Sequence, residues 1–136
     1  MKATVCRKIG FNAAHRLHVQ DWDAETNTKV FGKCNNPNFH GHNYVLEVKV
    51  KGEIDPLSGY VLDMKILRDL VEKEIVEKFD HKNLNLDTSE FKNLNPTAEN
   101  IAKVIYNKLI TKIEHSQELT IILHETENNY VEYNGS

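Results

Sequence analysis

The chain has 136 residues, 17 Lys and Arg against 20 Asp and Glu, a formal net charge of −3 and 40% hydrophobic residues. That size predicts one domain, residues 1–136, with enough chain to bury a core. The scattered basic residues exclude the cationic stripe used to bind nucleic acid. No apolar run is long enough to cross a membrane, and the start MKATVCRKIG lacks the apolar stretch of a signal peptide, so a cytoplasmic location is expected.

Residues 3–15 alternate, with Ala3, Val5, Ile9, Phe11, Ala13 and His15 on one face, which predicts a half-buried strand interrupted only by Arg7. The connection 16–39, about two dozen residues, is long for a compact domain, and its Trp22, Phe31 and Cys34 mark it as a functional loop. Residues 42–51 alternate more cleanly, Tyr44, Leu46, Val48 and Val50 sharing the face of His42. IDPLSGY is a turn, and Asp63 then caps a helix over 64–78 whose Leu67, Leu70, Val71, Ile75 and Phe79 form an apolar stripe. FDHKNLN breaks that helix. Asn95 or Thr97 caps a second, roughly 97–114, with Ile101, Ala102, Ile105, Leu109 and Ile113 on its inner face. LTIILHE and YVEY, separated by the turn ENN, complete the order ββααββ. This is an α+β class: one antiparallel four-stranded sheet with two helices on one face. Its two open edges predict closure by pairing between subunits.

The chemistry-bearing residues sit at strand ends. His40 and His42, two apart in HGHNY, point to one side of a strand, and His15 ends the run IGFNAAH. An isolated HxH pair is weak evidence of a metal site. A third histidine ending a second strand strengthens it, since three neutral imidazoles with a free fourth position suit a catalytic zinc. Cys34, separated from His40 by five residues in turn-rich sequence, is a candidate thiolate beside that cation and the more accessible of the two cysteines. Cys6, among apolar neighbours, reads as a small inert residue, and two cysteines in a reducing compartment argue against a disulfide. Asp80 beside His81 can form a proton relay with a thiol, although a histidine at a helix C-terminus is the simpler reading of that dipeptide. Glu125 ends an apolar strand face, where a carboxylate needs a partner; an ordinary turn residue is the simpler reading, and a purine-like or pterin-like ring offers an amino group and ring N–H that match its two oxygens. Glu99 reads as a first-turn acid favoured by the helix dipole, and His18, His115 and His124 as non-ligands.

FNAAHRL, FGKCNNPN followed by HGHNY, GEIDP, FDHKNLN, PTAEN and HETENN together resemble the 6-pyruvoyltetrahydropterin synthases, in order and spacing, from about residue 9 to residue 133. The resemblance implies a T-fold, in which three ββααββ subunits close a twelve-stranded barrel and two trimers stack as a homohexamer. It implies zinc on His15, His40 and His42, Cys34 as the base with Asp80 and His81, and Glu125 anchoring the pterin with help from Thr97 and Glu99. The implied substrate is 7,8-dihydroneopterin triphosphate, with magnesium as a candidate companion of its triphosphate. The active site is expected between subunits. Two positions depart from the animal enzymes: Phe39 where those carry Gly, and Ala98 where those carry a second Thr. The alternative within the family is a 6-carboxytetrahydropterin synthase of the queuosine pathway, disfavoured by the five-residue Cys34–His40 gap. A non-catalytic T-fold binding protein is disfavoured by the intact Cys34, Asp80, His81 and ligand set.

Overall fold

Alternation along two long strands builds the sheet. In the computed structural model, which describes all of residues 1–136, β1 (Lys2–His15) and β2 (His40–Glu53) pair antiparallel from Lys2 opposite Glu53 to His15 opposite His40. The two-residue period buries Phe11, Ala13 and His15 of β1 and Tyr44, Leu46, Val48 and Val50 of β2. Arg7 shares the inward face, with its Nε buried and without a hydrogen-bond partner.

The connection between these strands is not an irregular loop. It contains α1 (Ala24–Phe31) and a 3₁₀ turn (Gly32–Asn35). No apolar stripe announces α1. Its start is set by Asp23, whose carboxylate accepts from Thr26 N at 2.7 Å, and its end by Gly32 at φ 57°. Asn27 is buried and folds the segment on itself, its Oδ1 accepting from Val19 N and its Nδ2 donating to Val19 O.

Asp63 caps α2 (Met64–Val71), accepting from Lys65 N at 2.8 Å. The helical path continues through a π turn (Glu72–Val76) into α3 (Glu77–Phe79), so the expected helix is present with one widened turn. Leu67, Val71, Ile75 and Phe79, four apart, are buried against the sheet. After β3 (Lys82–Asn83) and the single turn α4 (Leu84–Asp87), Thr97 caps α5 (Ala98–Ile110), its hydroxyl accepting from Asn100 N at 3.2 Å. β4 (Glu118–His124) and β5 (Tyr130–Tyr133) finish the chain's regular elements.

The sheet order is β3-β1-β2-β4-β5. The sheet is therefore five-stranded and mixed, not four-stranded and antiparallel, because β3 runs parallel to β1 beside Ala13 and Ala14. Two residues are too few for strand periodicity, and FDHKNLN reads only as a helix break. α2 and α5 cover one face and enclose a single cluster that includes Leu67, Ile101, Ile105 and Leu123. The other face is open and polar, bearing Thr4, Cys6, Lys49, Lys51 and Thr120.

Candidate metal centre and active site

The register of β1 on β2 makes the centre. His15 lies opposite His40, and His42 stands one pleat further along on the same face. One nitrogen from each of the three rings lies within 4.8 Å of the other two, close enough to hold one metal ion. His15 Nε2, both ring nitrogens of His40 and His42 Nε2 are buried without any hydrogen-bond partner. Unpaired buried nitrogens are costly unless something binds them, and imidazole donors suit zinc and similar divalent ions. The residues thus fit a metal.

Second contacts aim the first ligand. His15 Nδ1 lies 2.7 Å from the carbonyl of Pro96. A carbonyl only accepts, so Nδ1 carries the proton and Nε2 presents its lone pair to the centre. The Tyr44 hydroxyl lies 3.3 Å from the same Nδ1. Burial first, then the neighbouring His40 and His42, push the His15 imidazole down to about 4, against the raising effect of the Pro96 hydrogen bond. Burial and His42 also lower His40. These rings are neutral near pH 7, as ligation requires.

A folded-state value below the unfolded one means that the neutral ring's contribution is complete above the unfolded value of about 6.5 and is lost as pH falls below it. The metal-free protein should lose stability as pH is lowered from that range toward about 4. Urea midpoints measured stepwise in pH should fall less steeply for His15→Gln than for the parent chain. Equal slopes for the two would contradict a neutral buried His15.

Glu125 borders the triad. Glu125 Oε1 is 3.7 Å from His42 Nε2, and both side chains are mostly shielded. Burial, then the charges of Glu125 and Cys34, raise the Tyr44 phenol far above its ordinary range. Both cysteines are free, but the expected order of accessibility is reversed: Cys6 is exposed on the open face and Cys34 is half-buried. Burial and Glu47 hold the Cys6 thiol above its usual value, consistent with an inert role. Phe39, just before His40, has φ 68°, a conformation glycine adopts freely and a bulky side chain does not.

Asp80 and His81 stand apart from this cluster. They follow the end of α3 and dock on the edge of β1, where Asn12 N donates to Asp80 Oδ1 at 2.9 Å and His81 N donates to Asn12 O at 2.6 Å. His81 itself takes φ 60°. Asp80 Oδ2 is 2.9 Å from His81 Nδ1, and the His81 side chain is 82% exposed. The Asn12 amide, then His81, hold the Asp80 carboxyl below its usual range. The dipeptide is thus both a helix end and a paired carboxylate–imidazole, turned outward at a sheet edge. Thr97 spends its hydroxyl on the α5 cap, and Glu99 is an exposed first-turn acid of that helix. His124 faces the open side and pairs with Glu47 at 2.7 Å, as a non-ligand should.

The profile of the "6-pyruvoyl tetrahydropterin synthase" family matches residues 4–136. The chain belongs to this family. A human 6-pyruvoyl tetrahydrobiopterin synthase is 42% identical over 134 residues, covering 98% of this chain and 92% of that protein. The solved structure of the Caenorhabditis elegans 6-pyruvoyl tetrahydropterin synthase superposes with a TM-score of 0.93 at 38% identity, covering 100% of this chain and 97% of that one. A 6-carboxy-5,6,7,8-tetrahydropterin synthase of Rickettsia conorii is 33% identical over 144 residues, covering 93% of this chain and 96% of that protein. The family resemblance read from the motifs therefore stands. Sequence reasoning missed Tyr44 as a second contact of His15, where it read only as a core aromatic. It also missed the Pro96 carbonyl, for which no side-chain pattern exists.

Proposed function

We propose that this protein is a zinc-dependent 6-pyruvoyltetrahydropterin synthase, a lyase that converts 7,8-dihydroneopterin triphosphate to 6-pyruvoyltetrahydropterin with loss of triphosphate. The observation that carries the reading is the meeting, at one end of one sheet face, of three orphaned imidazoles and a carboxylate 3.7 Å from one of them. His15, His40 and His42 would hold the zinc, which when bound supplies a Lewis acid for the substrate's side-chain oxygens.

The chain's own residues do the rest. Cys34 removes a proton from the substrate side chain. Asp80 holds His81 through Nδ1 and leaves Nε2 free to pass protons. Glu125 accepts from the pterin amino group and ring N–H, and Thr97 and Glu99 border that pocket. Oxidation and reduction are internal to the substrate. One carbinol becomes a ketone as its hydrogens pass to the ring C=N bond. The second becomes a ketone as triphosphate leaves and the terminal carbon becomes methyl. No redox cofactor is required, and any magnesium would enter with the triphosphate.

Glu125→Gln keeps the shape but turns one acceptor into a donor facing a donor. Pterin binding should weaken by on the order of 2–4 kcal/mol, read by titration of the metal-loaded protein with a pterin ligand. Unchanged affinity would remove Glu125 from the site.

The assembly in this reading is a homohexamer, a dimer of trimers with twelve-stranded barrels. Supporting it are the short edge strands β3 and β5, the open polar sheet face, and the outward-turned Asp80–His81 pair on the edge of β1. That pair serves a neighbouring chain's Cys34. Co-expressing inactive Cys34→Ala and His81→Ala chains should restore part of the activity if one site draws these residues from two subunits. Co-assembled chains with no recovered activity would reject the sharing of Cys34 and His81.

A further inference from the structure

A base on a loop works only if the loop is held, and Cys34 lies in a 3₁₀ turn and forms no disulfide. The two residues after His15 do the holding. Leu17 N donates to Cys34 O at 2.9 Å. Arg16 Nε donates to Asn35 O at 2.9 Å, and Arg16 Nη2 donates to Asn35 Oδ1 at 3.2 Å. The guanidinium thus grips the residue after Cys34 by main chain and side chain together.

Arg16 is itself anchored by a single amide. Its N–H donates to Asn85 Oδ1 at 2.7 Å, and its carbonyl accepts from Asn85 Nδ2 at 2.9 Å. Asn85 lies in the single turn α4, which Asn83 caps through Oδ1, and Asn83 pairs with Ala14 in β3. Three segments therefore cross at Arg16: the strand ending in His15, the turn carrying Cys34, and the segment that follows Asp80 and His81. Arg16 makes no ion pair, so all its observed bonds go to neutral oxygens. A planar fork makes such a two-point grip; a lysine cannot.

We infer that Arg16 is a positioning residue for Cys34, acting through its fork on Asn35. This rests on the reading of Cys34 as the base. The rival role is direct contact with the substrate's phosphates, since Arg16 also lines a groove of about 580 Å³ with His18 and Lys92.

A double-mutant cycle on the zinc-loaded, full-length protein separates the two, using Arg16→Gln, Asn35→Ala and their combination with dihydroneopterin triphosphate as substrate. Arg16→Gln should lower kcat by on the order of 10²-fold, the scale expected when a reacting group is misplaced by about an ångström. KM should stay within about twofold, since ground-state binding is untouched. Asn35→Ala should cost less, and the combined variant no more than Arg16→Gln alone. Arg16→Lys should fall with Arg16→Gln. Additive losses, a raised KM with kcat unchanged, or full kcat in Arg16→Lys would each overturn the inference. Iodoacetamide alkylation gives a readout independent of turnover. Cys34 should be modified faster in Arg16→Gln than in the parent, with Cys6 as internal reference and zinc content unchanged; an unchanged ratio would overturn the inference. If Cys34→Ser is fully active the base reading fails, while alkylation still decides whether Arg16 holds Cys34. If Cys34→Ser is inactive and the cycle is additive, the positioning role alone fails.

Discussion

Cys34→Ser should lower turnover by orders of magnitude and leave the metal in place. A serine hydroxyl is a far weaker acid than a thiol, so the basic form of the side chain almost vanishes at neutral pH while its size hardly changes. General acid–base catalysis contributes roughly 10²–10⁴-fold, which sets the scale of the loss. The metal should stay because the cluster of candidate ligands consists of His15, His40 and His42 alone. The fold should stay because Cys34 is only half-buried and is held by its backbone carbonyl, which serine retains. Kinetics with dihydroneopterin triphosphate, beside a metal assay on the same preparation, check both halves. Near-parental activity would show that another group removes the proton. Inactivity with loss of metal would make Cys34 a ligand.

His40→Ala combined with His42→Ala should abolish metal binding and leave a folded assembly. The change removes two of three donors and leaves His15, whose single imidazole cannot retain a zinc ion. β2 should persist, because its pairing with β1 and β4 is made by the backbone. Losing the side chains costs packing, but it also deletes buried nitrogens that have no partner in the metal-free chain. Metal per chain and the mass of the assembly in solution are the two measurements. Full zinc occupancy in the double variant would contradict the ligand assignment.

Periodicity and caps were legible because they are local. His40 and His42 fall on one strand face by the two-residue period. Leu67, Val71, Ile75 and Phe79 mark a helix by their spacing, and Asp63 and Thr97 announce helix starts by their chemistry. Features set by long-range partners were not legible. The pairing of His15 with His40 depends on a register that neither strand states alone. β3 exists because a two-residue stretch fits the edge of β1. α1 carries no apolar stripe and is shaped by Asp23, Gly32 and the buried amide of Asn27. The turn-rich sequence after Cys34 suggested exposure, yet the grip of Arg16 and Leu17 holds that turn against the protein. At Phe39 the motif comparison flags an unusual residue, and φ 68° supplies the physical reason: the position asks for glycine.

The reaction is identified by its product. The most direct test is incubation of the zinc-loaded protein with 7,8-dihydroneopterin triphosphate and mass analysis of the pterin formed. The product should keep all three side-chain carbons and have the mass of substrate less triphosphoric acid, with triphosphate released. A 6-carboxy product accompanied by acetaldehyde, or no turnover by metal-loaded protein, would contradict the proposed function.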